Sequence, residues 1–198
     1  PIKFVDWDGK QPSGYEAALM SKCVYKDKEF ASTIKDLNAH NWYVSSDYGS
    51  EITMNTKWYQ CGLQSMLFER SLDNGNKEYA YAFAGTNSIE DASQDILQVF
   101  GMSNQYNLAI NNAIYLSNNI GNKELTFVGH SLGGGEASAS AMATGRIAIV
   151  FNPASVSNLT LKFNNIKYDA SKIVSYNTIG VNIWESMFIG GDPLTNFQ

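Results

Sequence analysis

Gly129-His130-Ser131-Leu132-Gly133 spaces a serine two residues from a glycine on either side. Leu125-Thr126-Phe127-Val128 before it reads as a short buried strand. Gly133–Thr144 after it is rich in Ala and Ser and reads as a helix closed by Gly145. A serine at such a strand-to-helix turn is a nucleophile pattern. The sharp turn projects its Oγ from the sheet edge. Side chains two residues before and after would collide, which accounts for Gly129 and Gly133. The helix then aims its N-terminal N–H groups at the reaction centre, where they stabilise a developing oxyanion. Leu132 N–H is one such donor. His130 adjoins the serine, but at an elbow its side chain points away, so it reads as structural, bonded beneath the turn.

A second donor is readable in Ala84-Gly85-Thr86-Asn87-Ser88, between a strand and a helix. The backbone N–H and hydroxyl of Thr86 can face the same oxyanion. A helix N-cap by Thr86 or Ser88 is the other role of this segment, and the two are compatible. A serine nucleophile also needs a base, normally a histidine oriented by a carboxylate. The chain has two histidines, His40 and His130. His130 is disfavoured by the elbow, and His40 reads as a surface or helix-end residue. Three sources of the base stay open: a histidine beyond Gln198, a recruited His40, or none, in a relative that does no catalysis. The chain opens on Pro1 and stops at Gln198, and both ends are read as cut.

The elements that must position these groups follow a recognisable rhythm. Pro12 and Ser13 precede Tyr15, Ala18, Leu19 and Cys23 at helical spacing, and Phe30, Ile34 and Leu37 suggest a second helix. Residues 38–60 show no clear period and read as loops and short strands. Leu63–Arg70 and Tyr79–Ala84 read as strands around the turn Asp73-Asn74-Gly75-Asn76. Ile89–Phe100 is amphipathic, and Leu108–Ile120 reads as a helix ended by Gly121 and Asn122. Ile147–Phe151 is a buried strand and Lys172–Tyr176 another. Strand, helix, strand in this order implies right-handed crossovers and a parallel sheet, to which the early hairpin adds an antiparallel part. The expected fold is a single α/β domain over 1–198, a mixed sheet flanked by helices.

The chain resembles the class 3, fungal-type lipases of the α/β-hydrolase fold. The likeness rests on Phe83-Ala84-Gly85-Thr86, on Asp91 and Asp95, on Phe127–Gly134 and on Phe151-Asn152-Pro153-Ala154, within roughly residues 14–198. Ala84 stands where that family has arginine, which removes a local ion pair but leaves the oxyanion role. The resemblance implies Ser131 as nucleophile, Thr86 as oxyanion donor beside Leu132, and Asp95 as a structural tie near the elbow. Gly190-Gly191-Asp192-Pro193-Leu194-Thr195 looks like the family's acid segment. This favours Asp192 over Asp169, the competitor in a polar stretch; a turn residue before Pro193 is the plainer role for Asp192. The hydrolase order is serine, acid, histidine. Ile89, Ile96, Leu97, Val99, Phe100 and Met102 fall where the family carries a lid, and simple core packing of an amphipathic helix is the other reading. The C-terminal segment also looks like lipase-type domains at the ends of large secreted bacterial toxins. The implied substrate is a lipid ester met at a lipid or membrane interface, with no cofactor and no metal. Secretion is a matching location that the sequence leaves open. The rivals are a lipid- or partner-binding domain without turnover, and acyl transfer to an alcohol.

Composition narrows the partners. The chain has 198 residues, 44% of them hydrophobic and 13% aromatic, so a real core is expected and disorder is not. Fourteen basic against nineteen acidic residues leave a net charge of −5, which argues against nucleic acid and gives no overall pull toward anionic lipid. The longest apolar runs are far short of the ~20 residues that span a bilayer. The two cysteines, Cys23 and Cys61, form no motif with each other or with histidine, and read as buried thiols.

Overall fold

Large and small residues alternate along Tyr79-Ala80-Tyr81-Ala82-Phe83-Ala84, and the two sets face opposite sides of one sheet. The computed structural model describes residues 11–48, 63–85 and 99–177. In chain order its elements are α1 (Gly14–Cys23), α2 (Phe30–Ala39), β1 (Tyr43–Val44), β2 (Ser65–Ser71), β3 (Lys77–Phe83), α3 (Val99–Ile120), β4 (Leu125–His130), α4 (Leu132–Thr144), β5 (Ile147–Phe151), α5 (Asn158–Phe163) and β6 (Ile173–Tyr176). The sheet order is β1-β2-β3-β4-β5-β6. β1, β2 and β3 pair antiparallel, and β3 to β6 run parallel. This is the α/β fold with a mixed sheet that the strand–helix rhythm predicts.

Strands added one after another in the same direction, each through a right-handed crossover, place their crossover helices on one face. α3 and α4 accordingly share a face, where Ala109, Ala113, Leu116, Ala137 and Ala141 pack on Tyr79, Tyr81, Phe83, Leu125, Phe127 and Val150. The opposite face carries Ala80, Ala82, Val128, Ile149 and Phe151 against Ala17, Met20, Cys23 and Val24 of α1 and its end, with Leu37 of α2. The small side of β3 lets α1 lie close. Cys23 is a free buried thiol, pushed up to about 12 by that burial, while Cys61 lies outside the described residues.

α1 begins where the sequence puts it. Ser13 accepts from Glu16 N at 3.2 Å, and the Glu16 carboxylate accepts from Ser13 N at 2.7 Å, a reciprocal cap. The hairpin turn closes on Gly75 at φ +77°, and Gly145 ends α4 at φ +69°. Two elements depart from the sequence expectation. α3 already includes Val99, nine residues before the start expected at Leu108. Its first turns hold Ser103, Asn104 and Asn107, poor helix formers that mask the period. α5 is wholly unforeseen, because six residues are too few to show a period, although Ser157 caps it by accepting from Thr160 N at 3.1 Å. The region 38–60 holds β1, as the expectation of short strands allows, and its residues from 49 on lie outside the described residues.

Replacing Ser13 with alanine removes one half of the reciprocal cap. The expected outcome is a loss of about 1 kcal/mol of stability, read as a lower urea midpoint at unchanged slope.

Candidate active site

Every residue of β4 is buried, and the chain leaves it through a corner that few residues can occupy. Ser131 sits there at φ +55°, ψ −124°, and α4 begins at the next residue. For a residue with a Cβ this conformation is sparsely populated and costs about 1–3 kcal/mol. The surrounding main chain holds it. Ser131 N donates to Phe151 O at 3.1 Å, and Ser131 O accepts from Ala154 N at 2.8 Å and Gly135 N at 3.1 Å. The Ser131 side chain does not cap the helix it precedes. It is part-exposed, while α4 is buried at every position from Gly133 to Ala141.

The flanking glycines do what the spacing implies. A Cβ on Gly129 would lie 2.1 Å from Gly133 O, and one on Gly133 would lie 2.3 Å from Phe83 O. Both obstacles are backbone, so neither can yield. α4 therefore starts in direct contact with the end of β3, and the N–H of Leu132 belongs to its open first turn.

β3 brings Gly85, the residue before Thr86, to the same corner. A Cβ on Gly85 would lie 3.3 Å from Ser131 Cβ and 3.0 Å from His130 O. The residue before Thr86 therefore touches the serine, while Thr86 itself lies outside the described residues. Tyr25, just past α1, anchors this approach. Its hydroxyl accepts from Gly85 N at 2.9 Å and pairs with His130 Nδ1 at 3.1 Å. His130 is buried and engaged beneath the turn, the structural place the sequence assigns it.

His40 stands at the other edge of the sheet. It caps the end of α2, with Nδ1 3.8 Å from Glu16 Oε1 and its ring edge-on to Tyr15. Glu16 pairs with Arg70, which faces Glu78 across the β2–β3 ladder. Tyr79, next along β3, is level with Leu125, the first residue of β4, whereas Ser131 follows the last. The six residue steps from Leu125 to Ser131 span roughly 20 Å. Asp169 is equally remote. It precedes β6, whose first residue Ile173 pairs with Ala148 near the start of β5. It is exposed, and its hydrogen bonds to Ser171 hold its carboxyl below the usual carboxylate range. Of the two acids weighed, Asp169 is thus on the wrong edge. Asp192 lies outside the described residues, as do Asp91, Asp95 and the lid positions Ile89, Ile96 and Leu97. No group of three or more His, Cys, Asp or Glu among the described residues could hold a metal ion.

One ionisable group near the elbow was not singled out in the sequence. Glu136, five residues after Ser131, is buried on α4, and its Oε2 meets no hydrogen-bond partner. Burial pushes its carboxyl well above the usual range, because loss of water disfavours the charged form. Burial also raises the phenols of Tyr81 and Tyr106, and Glu136 adds to both shifts. Glu136 stands within the apolar-and-small pattern of a buried helix, and that mismatch was the available signal.

The family model described as "Phospholipase-like: Tle-like phospholipase domain" matches residues 16–198. The chain is 40% identical over 106 residues to an "Extracellular phospholipase A1" of Serratia liquefaciens; the match covers 53% of this chain and 33% of that protein. The chain thus matches about a third of its relative's length.

Two outcomes test the geometry. Gly133→Ala drives a Cβ into the Phe83 carbonyl, and its expected cost is about 1–3 kcal/mol in unfolding free energy, measured by chemical denaturation. For Glu136 the folded state holds a proton that the unfolded state has released once pH passes the ordinary glutamate range. Stability therefore falls as pH rises from there toward the raised folded value. Glu136→Gln should flatten this fall, seen by comparing denaturation midpoints of the two proteins at about pH 5 and about pH 8.

Proposed function

We propose, from the premise that this chain belongs to the Tle-like phospholipase family, that it hydrolyses carboxylic esters of phospholipids through an acyl-enzyme on Ser131. The observation that supports this most is the backbone of Ser131, held at φ +55° between a buried strand and a buried helix. A serine with a merely structural role has no need of that conformation, and here the side chain caps nothing.

In this reading Ser131 Oγ attacks the ester carbonyl as a base takes its proton. The tetrahedral oxyanion is held by the N–H of Leu132 and by Thr86, whose neighbour Gly85 lies against Ser131. Collapse expels the alcohol, which leaves with the proton from the base. Water then repeats the sequence on the acyl-enzyme and frees the fatty acid. Asp192 orients the base. His40 is across the sheet and His130 is engaged by Tyr25, so the base is a histidine from outside these 198 residues. This chemistry needs no metal or cofactor. The likeness to class 3 lipases is part of the same reading, as is an apolar lid over residues 89–102. A secreted protein acting at a lipid interface is the matching setting, since the Serratia relative is named as extracellular.

The engagement of both histidines elsewhere favours one other reading, a lipid-binding domain that keeps the fold without turnover. The two separate on one experiment with the intact protein that carries this chain. A fluorophosphonate probe should label Ser131, and Ser131→Ala should lower hydrolysis of a phosphatidylcholine by at least about a thousandfold. Lipid binding with no labelling and no turnover would establish the binding domain instead. Turnover that survives Ser131→Ala would overturn the mechanism.

A further inference from the structure

The segment that leaves β5 carries an apolar surface that the catalytic steps do not use. Among the described residues six large hydrophobic side chains are exposed, and three of them fall within ten residues: Leu159 at 57%, Phe163 at 78% and Tyr168 at 68%. Leu159 and Phe163 are four apart on α5 and so share one face of that helix. Leu161 turns inward and is buried.

This surface is displayed from a fixed support. Asn164 Nδ2 donates to Asn107 Oδ1 on α3 at 2.8 Å. Ile166 N donates to Leu161 O at 2.8 Å through a turn with Asn165 at φ +54°, and Val156 and Ile166 pack with Leu132 against Tyr106, Ile110 and Ala139. Phe163 therefore projects from an anchored helix rather than a frayed end. The support also places it. Ala154 N donates to Ser131 O, and α5 is capped three residues later by Ser157. Three residues span at most about 10 Å, so α5 starts on the nucleophile's edge of the sheet.

The charges around it run against the chain as a whole. The protein carries −5, yet Lys162 and Lys167 flank the apolar face, both exposed. Asp169 is the one acidic residue between Ser157 and Lys172, and Lys167 helps to lower its pKa. Lys172 is turned away, bonded to Gly145 O at 2.6 Å. Apolar side chains flanked by lysines are the pattern of a helix that lies in the headgroup boundary of a bilayer.

We infer that α5 and the turn after it form an interfacial docking surface, in which Leu159, Phe163 and Tyr168 enter a phospholipid monolayer while Lys162 and Lys167 meet anionic headgroups. The inference rests on the phospholipase reading, since it sets the nucleophile's edge of the sheet against the lipid from which the substrate is drawn. The net charge gives the molecule no general attraction to such a surface, so orientation comes from this patch.

The test uses the intact protein carrying Ser131→Ala, so that vesicles stay whole, and vesicles of phosphatidylcholine with and without phosphatidylglycerol. Sedimentation should show binding that strengthens with phosphatidylglycerol. Leu159→Ser with Phe163→Ser should weaken it by at least about tenfold, and Lys162→Gln with Lys167→Gln should abolish the preference for phosphatidylglycerol. All four positions are exposed, and circular dichroism checks that the variants fold. In the protein with Ser131 intact, the same substitutions should leave hydrolysis of a soluble short-chain ester unchanged while lowering hydrolysis of vesicle lipid. Vesicle binding that is absent, or indifferent to these substitutions, overturns the docking surface. So does a dimer in sedimentation velocity that the Leu159/Phe163 variant dissolves, which would make a second copy the occupant. Absence of ester hydrolysis, soluble and vesicle alike, in the unsubstituted protein would instead count against the phospholipase reading, whatever the binding shows.

Discussion

The corner at Ser131 is the constraint from which most of this structure follows. A residue with a Cβ is held there at positive φ, in a conformation that other parts of the fold must stabilise. Three main-chain hydrogen bonds do so, to Phe151, Ala154 and Gly135, and each comes from a segment that exists only once β5 and α4 are in place. The close start of α4 then demands bare backbone at Gly129 and Gly133 and a helix thin enough to bury on every side. The run of Gly, Ala and Ser through α4 meets that demand. Burial to this degree disfavours a charge, and the Glu136 carboxyl is accordingly pushed well above its usual range.

The corner is also tied to the opposite face of the sheet. Tyr25, beyond α1, touches Gly85 after β3 and His130 of β4 through one hydroxyl, so the ends of these two strands share a support. α1 is in turn fixed at its far end, where Glu16 caps its own helix and accepts from Arg70 at 3.0 Å. Arg70 also pairs with buried Glu78 and lies over the Trp42 ring at 4.6 Å. A buried ion network of this kind contributes little net stability, because removing charges from water offsets their attraction. It does tie α1 to β2 and β3, through Glu16, Arg70 and Glu78. α1, which Tyr25 follows, is held at a set height against the sheet, and Gly85 and His130 meet the Tyr25 hydroxyl at that height.

Much of the fold was legible because its signals are local. Strand alternation in β3, the Asn-Gly turn, the capping residues of α1 and the buried run of β5 each depend on neighbours a few residues away. The elbow was legible for the same reason, since its steric rule spans five residues. α5 and the first two turns of α3 were not, the one too short to show a period and the other rich in Asn and Ser, so packing between distant segments decided them. The place of His40 was equally invisible. Nothing in Asn38–Trp42 tells which edge of a sheet it will border, and only the pairing of β1 with β2 sets it far from Ser131.

By itself the sequence determined the fold class, the strained serine between glycines, and the small-residue helix behind it, because backbone sterics and side-chain period act over short range. Tertiary structure alone decided which groups share the edge where Ser131 stands. It brought Gly85 and Tyr25 there, carried His40 and Asp169 to the opposite edge, and turned Leu159 and Phe163 outward on α5. The physical reason is that a sheet converts strand direction and register into position. Residues sixty apart can meet through one hydrogen bond, while others lie a strand's length away, and neither outcome is written in local spacing.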